Sequence, residues 1–386
     1  MNFLDNADWS FPVPIYYGPG RVKELSNFCK TKNLSRPLLV TDKNSSDLPF
    51  IKEILWDLNS SNLKCGIFSE ISPNPIDSEI YRGKSVYKDG KHDSIISIGG
   101  GSGMDGGKAI SLIANNSIDL WDFNYDNDPS LNLSPFPPLI CIPTTAGTGA
   151  ETESTAMITN SQLGMKLCIW HPYQKPIAAF LDASLTISLP KSLTAWTGVD
   201  ALVHGIEAYS VNSLYSVADG MALEGLNLIG NNLLEVYKDP NNLSSRGAML
   251  IGSCLTGISF LKGLGLVHAI SHMIGAVYNT QHGLTNAIIL PKILNYNKSE
   301  ILNKVNSMHF SIFNKPGDFD SFYNKICILL DDLNIPDNLH SIKVKDDRVN
   351  ELAIKSSKDS AAFTNPKTAS ISDLEIIIKE TIDKAR

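Results

Sequence analysis

The sequence lacks the long apolar runs and the basic clusters that mark membrane and nucleic-acid-binding proteins. The longest uncharged apolar stretch of its middle part, residues 247–261, ends at Lys262. It is shorter than the roughly 18–20 residues that a membrane-spanning helix needs. No lysine- or arginine-rich block is present, and 40 acidic residues exceed 33 basic ones, which gives a net charge of −7. We therefore expect neither a membrane segment nor a nucleic-acid partner.

The sequence also lacks paired cysteines and an obvious export signal. Its six cysteines are far apart, with no CxxC pair: Cys29, Cys65, Cys141, Cys168, Cys254 and Cys327. This pattern predicts buried thiols in a reducing compartment rather than a disulfide framework. The first residues include Asp5 and Asp8 and show no basic segment followed by an apolar one. We expect a cytoplasmic protein.

The first half of the chain has the pattern of an α/β domain. Helix-like stretches, such as residues 50–59 and 79–88, separate short β-branched or aliphatic runs. These runs are residues 37–41, 65–68, 94–98, 139–142 and 177–181. Strands that alternate with helices predict a doubly wound parallel sheet.

The pattern changes near Leu189 and Pro190. Beyond them the β-type alternation fades, and long amphipathic stretches cover residues 201–236 and 246–278. At 386 residues the chain is long enough for two domains. We predict an α/β domain in residues 1–189 and an all-helical domain in residues 190–386.

A glycine-rich segment, residues 99–108, follows the strand predicted at 94–98 and precedes a helical stretch at 109–113. Glycines allow close approach of the backbone, and the free N–H groups at a helix start attract a phosphate, so this segment predicts an anion site. An ATP-binding P-loop is disfavoured, because Ser102 and Ala109 stand where that motif needs glycine and a hydroxyl residue.

A second loop of small residues, 143–151, follows the next strand, and its hydroxyl groups can hydrogen-bond a ribose or a phosphate. Two such loops at the carboxyl ends of strands match the ligand crevice of an open α/β sheet. Asp42 ends an earlier strand. There it would either accept from ribose hydroxyls and repel a 2′-phosphate, or cap a turn before Lys43. The local sequence leaves both interpretations open.

Four of the eight histidines fall between residues 204 and 282. Asp200 and His204 are four residues apart, on one helix face, and His268 and His272 repeat this spacing. With His282 they offer imidazole nitrogens and a carboxylate, a set that suits Fe²⁺, Zn²⁺, Co²⁺ or Mn²⁺. We predict a metal site here. The other histidines have no partner at ligand spacing and are expected to be structural or at the surface: His92, His171, His309 and His340.

Taken together, four segments resemble the iron-containing (group III) alcohol dehydrogenases. They are residues 99–108, 143–151, 198–208 and 265–286. Their order and spacing agree over nearly the whole chain. The resemblance implies a dinucleotide-binding α/β domain followed by an all-helical domain, the architecture shared with dehydroquinate synthase, with the active site in the cleft.

The resemblance also implies roles for particular residues. The family's metal ligands fall on Asp200, His204, His268 and His282, and His272 corresponds to a non-ligand catalytic histidine near the nicotinamide and the substrate. The acid at position 42 implies NAD rather than NADP, and the family often forms homodimers. The implied cofactor contacts are Asp42, Asn74, Gly100, Gly101, Ser102, Asp105, Thr144, Thr145, Thr148, Lys166 and Leu185.

We therefore expect reversible hydride transfer between NAD and a small alcohol, aldehyde or ketone, with divalent iron or zinc polarising the substrate oxygen. Two alternatives remain open: an NAD- and metal-dependent lyase of the dehydroquinate-synthase type, and a metallohydrolase without a redox role. The apolar residues near the ligands favour an uncharged alcohol over a phosphorylated lyase substrate: Leu264, Leu266, Val267, Met273 and Ile274.

Three positions depart from the family pattern. Glu153 stands where many members carry a small hydroxyl residue, residues 260–265 look one residue shorter than the common form, and Met273 replaces a frequent proline. The last two are expected to border the substrate pocket. The motifs themselves are compatible with several alcohols, metals and physiological directions.

Overall fold

The computed structural model describes residues 13–129 and 132–386. Over this part the chain divides into two compact units. One is the α/β unit, which holds Ala150–Ser188 and the described residues up to Thr145; the other holds Ala146–Gly149 and Leu189–Arg386. The functional division that we expect, at residues 1–189 and 190–386, remains a prediction. Asp5 and Asp8, on which the export argument rests, lie outside the described residues.

A parallel sheet forms the centre of the α/β unit. Among the described residues its six strands hydrogen-bond in the order β1-β8-β5-β4-β2-β3, and all neighbours run parallel. These strands are β1 (Ile15–Tyr17), β2 (Pro37–Asp42), β3 (Gly66–Ile71), β4 (Ser94–Gly99), β5 (Leu139–Pro143) and β8 (Ala178–Leu181). An antiparallel hairpin consists of β6 (Thr155–Asn160) and β7 (Met165–Trp170). The predicted parallel sheet is confirmed.

The inner strands β2, β4, β5 and β8 are buried and mostly apolar because both faces of the sheet are covered there. Leu38 and Val40 of β2 belong to one hydrophobic core, whereas Leu39 between them belongs to the other. Full burial of each such side chain contributes about 1.5–3 kcal/mol. Helices cover the sheet, as its continuous apolar strands require. They are α1 (Leu25–Thr31), α2 (Pro49–Ser60), α3 (Asp77–Asp89) and α4 (Gly101–Ala114).

The glycine-rich segment is mostly helix, which corrects the prediction that helical structure begins near residue 109. Helix α4 begins at Gly101, so the turn after β4 is short. A Cβ on Gly107 would lie 2.6 Å from the Cβ of Ser97, and one on Gly106 would lie 2.6 Å from the side chain of Ile71. These glycines therefore let α4 pack closely against the sheet, in addition to forming the turn.

The second unit is helical, as predicted. Its helices are α5 (Lys191–Ser210), α6 (Ser216–Lys238), α7 (Leu243–Ser259), α8 (Leu266–Tyr278), α9 (His282–Phe313), α10 (Phe319–Asp332), α11 (Val349–Ser356) and α12 (Ile371–Asp383). Helix α5 is buried on nearly all sides and packs against α6, α7 and α9. It is the core helix of this unit.

Both long amphipathic stretches are broken, which the sequence did not indicate. Residues 211–215 separate α5 from α6, and the chain bends by 103° between the helical segments Leu243–Lys262 and Leu266–Tyr278. Gly263 makes the second break, because its φ of 117° is a conformation that L side chains rarely adopt. No single helix in the described ranges is long and apolar enough to cross a membrane, although this bent pair meets the criterion by length and composition.

The packing of α4 predicts that Gly107→Ala destabilises the protein by about 1–3 kcal/mol, since the added methyl group overlaps a strand residue in a filled core. Urea unfolding measures the change. Gly220→Ala is the matched control: Gly220 is exposed on α6, and a Cβ there meets nothing within 4 Å. The free energy of unfolding of the control variant should increase by up to about 1 kcal/mol, because alanine has a higher helix propensity than glycine. Equal unfolding midpoints for the two variants would contradict this account of α4.

Candidate functional site

The predicted ligands on the helical unit come together in its core. Asp200 and His204 lie one turn apart on α5, and His268 lies in the first turn of α8. One ligand atom from each of these three buried residues lies within 4.8 Å of the other two. His282, the first residue of α9, adds an Nε2 atom 3.6 Å from Asp200 Oδ1. The group is small enough for one cation.

Two of the imidazole rings have fixed tautomers. His204 Nδ1 donates to the carbonyl oxygen of Gly147 at 3.2 Å, and His268 Nδ1 donates to Glu207 Oε2 at 2.6 Å. A ring whose Nδ1 carries the proton presents the lone pair of Nε2, as a metal ligand must. Burial and the neighbouring His204 lower the pKa of His268 well below its ordinary value, which keeps this ring neutral.

The ring of His282 also has a hydrogen-bond acceptor near its Nδ1 atom, at a longer distance. His282 Nδ1 lies 3.4 Å from the hydroxyl oxygen of Ser271, and this hydroxyl donates to the carbonyl oxygen of His268. The hydroxyl oxygen thus accepts from His282, and Nε2 of that ring faces Asp200. His268 and His282 therefore both present Nε2 to the Asp200 carboxylate.

Asn286 supports the interpretation of these atoms as ligands. Its Nδ2 atom lies 2.7 Å from Asp200 Oδ1, 3.2 Å from His268 Nε2 and 3.1 Å from His282 Nε2. An amide has two hydrogens, so it cannot satisfy three acceptors at once. Its Oδ1 is buried and has no hydrogen-bond partner among the described residues. Three lone pairs converge on one place, and a divalent cation with N/O preference fits this donor set.

His272 lies on α8 one turn after His268 but outside the compact ligand group. Its Nδ1 donates to Asp359 Oδ2 at 2.9 Å, and its ring stacks on that of His282 with centroids 5.4 Å apart. A histidine held by a carboxylate in this way has a defined orientation and can exchange a proton through Nε2.

The predicted nucleotide site lies at the carboxyl ends of strands β2, β4 and β5. The chain leaves β2 for α2 on one face of the sheet and leaves β4 for α4 on the other face. The carboxyl ends of β2 and β4 are therefore the topological switch point where open α/β sheets bind ligands. Gly100 and Gly101 lie at the start of α4, and Thr144 N donates to the carbonyl oxygen of Gly99 at 2.9 Å. Thr145 Oγ1 is buried without a hydrogen-bond partner in the described part of the chain. Free helix-start N–H groups and an unsatisfied hydroxyl fit a phosphorylated ligand.

Asp42 adopts the turn geometry that the sequence left open. Its Oδ1 accepts from the backbone N–H groups of Asn44 and Ser45, and its Oδ2 accepts from the Ser45 hydroxyl at 2.7 Å. The carboxylate is thereby held at the end of β2 close to the turn after β4, where a Cβ on Gly99 would lie 3.1 Å from Asp42 Oδ2. A fixed acid at this place remains compatible with ribose binding.

Three further predicted cofactor residues are gathered by one loop. Ser102 Oγ donates to the carbonyl oxygen of Pro73 at 2.5 Å, and Lys166 Nζ on β7 lies 3.5 Å from Asn74 Oδ1. Asp105 lies one turn further along α4, and Leu185 lies in a 3₁₀ turn after β8. Thr148 differs from the others, because its segment Ala146–Gly149 is part of the helical unit.

Comparisons with known proteins identify the family of this chain. Residues 12–183 match the family model for iron-containing alcohol dehydrogenase, and residues 194–382 match the model for the C-terminal part of the Fe-containing alcohol dehydrogenase family. The NAD-dependent methanol dehydrogenase of Bacillus methanolicus is 32% identical over 385 residues, which cover 97% of this chain and all of that protein. The chain belongs to the iron-containing alcohol dehydrogenase family.

Other relatives of this iron-containing alcohol dehydrogenase extend the comparison. The 1,3-propanediol dehydrogenase of Klebsiella pneumoniae is 30% identical over 97% of this chain and 98% of its own length. The solved alcohol dehydrogenase from Oenococcus oeni is 29% identical and has a TM-score of 0.91, over 97% of this chain and all of that one. The protein is therefore an oxidoreductase that acts on CH–OH groups.

Sequence reasoning missed two residues of the candidate site. Glu207 accepts a hydrogen bond from His268 and Asp359 accepts one from His272, yet neither residue received a role. Glu207 had a detectable signal, since it follows Asp200 and His204 on the same face of α5. Asp359 lies 87 residues after its partner and had none.

Three of the apolar residues near the predicted ligands lie in the core of the helical unit. Val267, Met273 and Ile274 are fully buried in the helical unit. They are core residues, so they do not by themselves indicate the polarity of a substrate. Of the remaining histidines, His309 is buried and bonded to the carbonyl oxygen of Lys315, a structural role as expected.

Glu153, one of the departures from the family pattern, is buried in the α/β unit. Burial raises the pKa of Glu153 from 4.5 to about 8, against the attraction of Lys108 and Lys175. Because the folded state holds the proton that the unfolded chain has lost, stability decreases as the pH rises from about 4.5 to about 8.

We expect the free energy of unfolding of Glu153→Gln to decrease less over that pH range than that of the parent, because an amide has no proton to lose. At pH 8 the variant should be more stable than the parent by an amount on the order of 1 kcal/mol. Urea unfolding at pH 5.5 and pH 8 measures the difference. The control is Glu53→Gln, which changes an exposed carboxyl group of α2 in the same unit. Identical pH dependence in parent and Glu153→Gln would show that Glu153 does not titrate as described.

Proposed function

We propose that the protein is an NAD-dependent, metal-dependent alcohol dehydrogenase, which transfers hydride reversibly between NAD and a small alcohol, aldehyde or ketone. The convergence of Asp200, His204, His268 and His282 on one place carries this proposal. Family membership gives the reaction class, and the tautomers of the three rings supply the lone pairs that a cation needs. Fe²⁺ is the proposed ion, with Zn²⁺ or another divalent ion as substitutes.

A divalent cation held by these four side chains would supply Lewis-acid polarisation of the substrate oxygen. The protein's own contribution is to hold the ligands in a buried setting: Asp200 and His268 are each 1% exposed. Gly147 and Glu207 fix the ring orientations from outside the ligand group. The site is thereby preorganised, which limits the cost of reorganisation during the reaction.

His272 is the proposed proton carrier. Asp359 holds its Nδ1–H, so Nε2 is available to accept the proton that an alcohol loses on oxidation and to return it in the reverse direction. The imidazole of His272 is 6% exposed, which leaves its proton exchange with bulk water slow unless a substrate or a cofactor hydroxyl connects them.

NAD is the proposed hydride carrier, and it would supply the nicotinamide that accepts or donates hydride. We assign its pyrophosphate to the start of α4 and its adenosine ribose to Asp42, with Thr144, Thr145 and Lys166 as further contacts. The carboxylate at position 42 repels a 2′-phosphate, so NADP is the poorer cofactor. The relatives named as methanol and 1,3-propanediol dehydrogenases suggest a short uncharged alcohol as substrate, and a homodimer remains part of the proposal.

The lyase and hydrolase alternatives predict different products. A lyase that uses NAD within one cycle releases no net NADH, and a hydrolase binds no NAD. Anaerobic incubation with NAD and a panel of short alcohols, on protein loaded separately with Fe²⁺ or Zn²⁺, therefore tests the proposal. Net NADH formation with an alcohol supports it. Absence of NAD binding by calorimetry would overturn it.

Asp200→Asn tests the metal assignment directly. We expect loss of bound metal and a decrease in kcat on the order of 10²–10³-fold, since Lewis-acid stabilisation is worth several kcal/mol and each 1.36 kcal/mol is tenfold. NAD affinity, measured by calorimetry, should change less than about threefold, because Asp200 is assigned to the metal and not to the nucleotide. A metal-free variant with full activity would refute the assignment.

Asp42→Asn tests the cofactor assignment. The amide keeps an oxygen for the turn at Asn44 but removes the charge that repels a 2′-phosphate, so the ratio of kcat/KM for NADP to that for NAD should increase about tenfold, equivalent to about 1.4 kcal/mol. Steady-state kinetics with both cofactors measure it. Asp47→Asn, at an exposed acid five residues further along the chain, is the control and should leave the ratio unchanged.

A further inference from the structure

Glu207 contacts the ligand His268 and the start of the helix that carries it. We infer that Glu207 is a positioning residue for the metal centre, whose carboxylate fixes the ring of His268 and the first turn of α8 together. The inference deepens the proposed function and rests on its metal site. Nothing in the motif assigned a role to this residue, because its side chain does not belong to the ligand group itself.

The spacing on α5 explains how one helix supplies both ligands and their support. Asp200, His204 and Glu207 occupy positions i, i+4 and i+7, which lie on the same face of a helix. The first two side chains offer ligand atoms to the cation site. The third reaches the beginning of α8 and contacts the ring that completes the group. The position of α8 is thus set from the ligand-bearing face of α5.

The two carboxylate oxygens of Glu207 have separate tasks. Oε2 accepts from His268 Nδ1 at 2.6 Å, and Oε1 accepts from the backbone N–H of Val267 at 2.8 Å. Gly265, which precedes α8, also directs its backbone N–H to this carboxylate. The first N–H groups of a helix have no partner within the helix, so an acceptor from α5 satisfies groups that would otherwise be buried and unpaired.

A side chain at position 265 would disrupt this arrangement. A Cβ on Gly265 would lie 2.7 Å from Glu207 Oε1 and 2.7 Å from Asn365 Oδ1. The glycine therefore allows both acceptors to approach the start of α8. Glu207 is 5% exposed, so water cannot replace its oxygens if they are removed.

Asn365 caps the start of α8 without any described hydrogen bond to the ring of His268, so it allows the two effects of Glu207 to be tested separately. Its Oδ1 accepts from Leu266 N at 3.1 Å, which caps the same helix end, and its amide pairs with Asn297. Asn365 has no hydrogen bond to His268 among those that the described structure shows. A variant of Asn365 therefore weakens the cap and leaves the ring contact in place, which makes it the control for Glu207.

The experiment compares Glu207→Gln with Asn365→Ala in protein loaded with Co²⁺. Chelator competition gives the Kd for the metal, the visible absorption of Co²⁺ reports the ligand geometry, and circular dichroism reports the fold and Tm. Loss of an outer group that orients a ligand typically weakens metal binding about 10–100-fold. We expect such a loss, with a changed Co²⁺ spectrum, in Glu207→Gln. Asn365→Ala should lower Tm but change the metal Kd less than about threefold.

Equal metal affinity in Glu207→Gln and the parent overturns the inference. An equal loss of metal affinity in Glu207→Gln and Asn365→Ala also overturns it, because it would show that Glu207 acts only as a helix cap. If Glu207→Gln does not fold, Glu207→Asp replaces it. Its shorter carboxylate cannot reach Val267 and His268 together, and the same loss of affinity is expected. If the parent protein binds no divalent cation, the proposed function as a whole is refuted. If the parent binds Co²⁺ and the Glu207 variant binds it equally well, only the inference about Glu207 is refuted.

Discussion

The buried Asp200 carboxylate is the group on which the arrangement of the helical unit depends. A carboxylate 1% exposed on a core helix is costly unless charge and hydrogen bonds compensate for lost water. Its neighbours are imidazoles, and burial lowers the pKa of His268, so this ring does not supply a positive charge. Asn286 donates a neutral hydrogen bond only. A divalent cation bound by these side chains would compensate the charge of Asp200.

The surrounding charges strengthen this argument. Glu207 and Asp359 are also at least 94% buried, so three carboxyl groups contact histidines in the same unit. The buried cationic side chains of the unit have other partners: Lys262 pairs with Asp219, and Arg246 donates to Pro240 and Thr194. The excess of acidic over cationic groups around the imidazoles favours occupation by a divalent ion. Burial raises the pKa of Glu207 to about 7.

The predicted sites differ in how far sequence could locate them. The spacing of Asp200 and His204 places two candidate ligands on one helix face because a helix repeats every 3.6 residues. The apolar runs identify the inner parallel strands because both faces of the sheet are buried there. Helix breaks are harder to locate, since the residues before and after 211–215 have the same periodicity. The early start of α4 was missed because glycine is a poor helix former, and only the packing against Ser97 shows why it is tolerated. The support of His272 by Asp359 depends on a contact between distant parts of the chain, which periodicity does not reveal.

Burial lowers the proton affinity of the candidate ligand His268 as well as restricting the movement of its ring. Metal binding requires a neutral imidazole, and an exposed histidine with an ordinary pKa competes with protons near pH 6. Because burial lowers the pKa of His268, protons compete less for its Nε2. Burial alone would leave the ring free to adopt either tautomer, and the carboxylate of Glu207 removes that choice by accepting from Nδ1. Low proton affinity and a fixed tautomer are therefore supplied by different features, the core around α8 and one side chain of α5, and the ligand needs both.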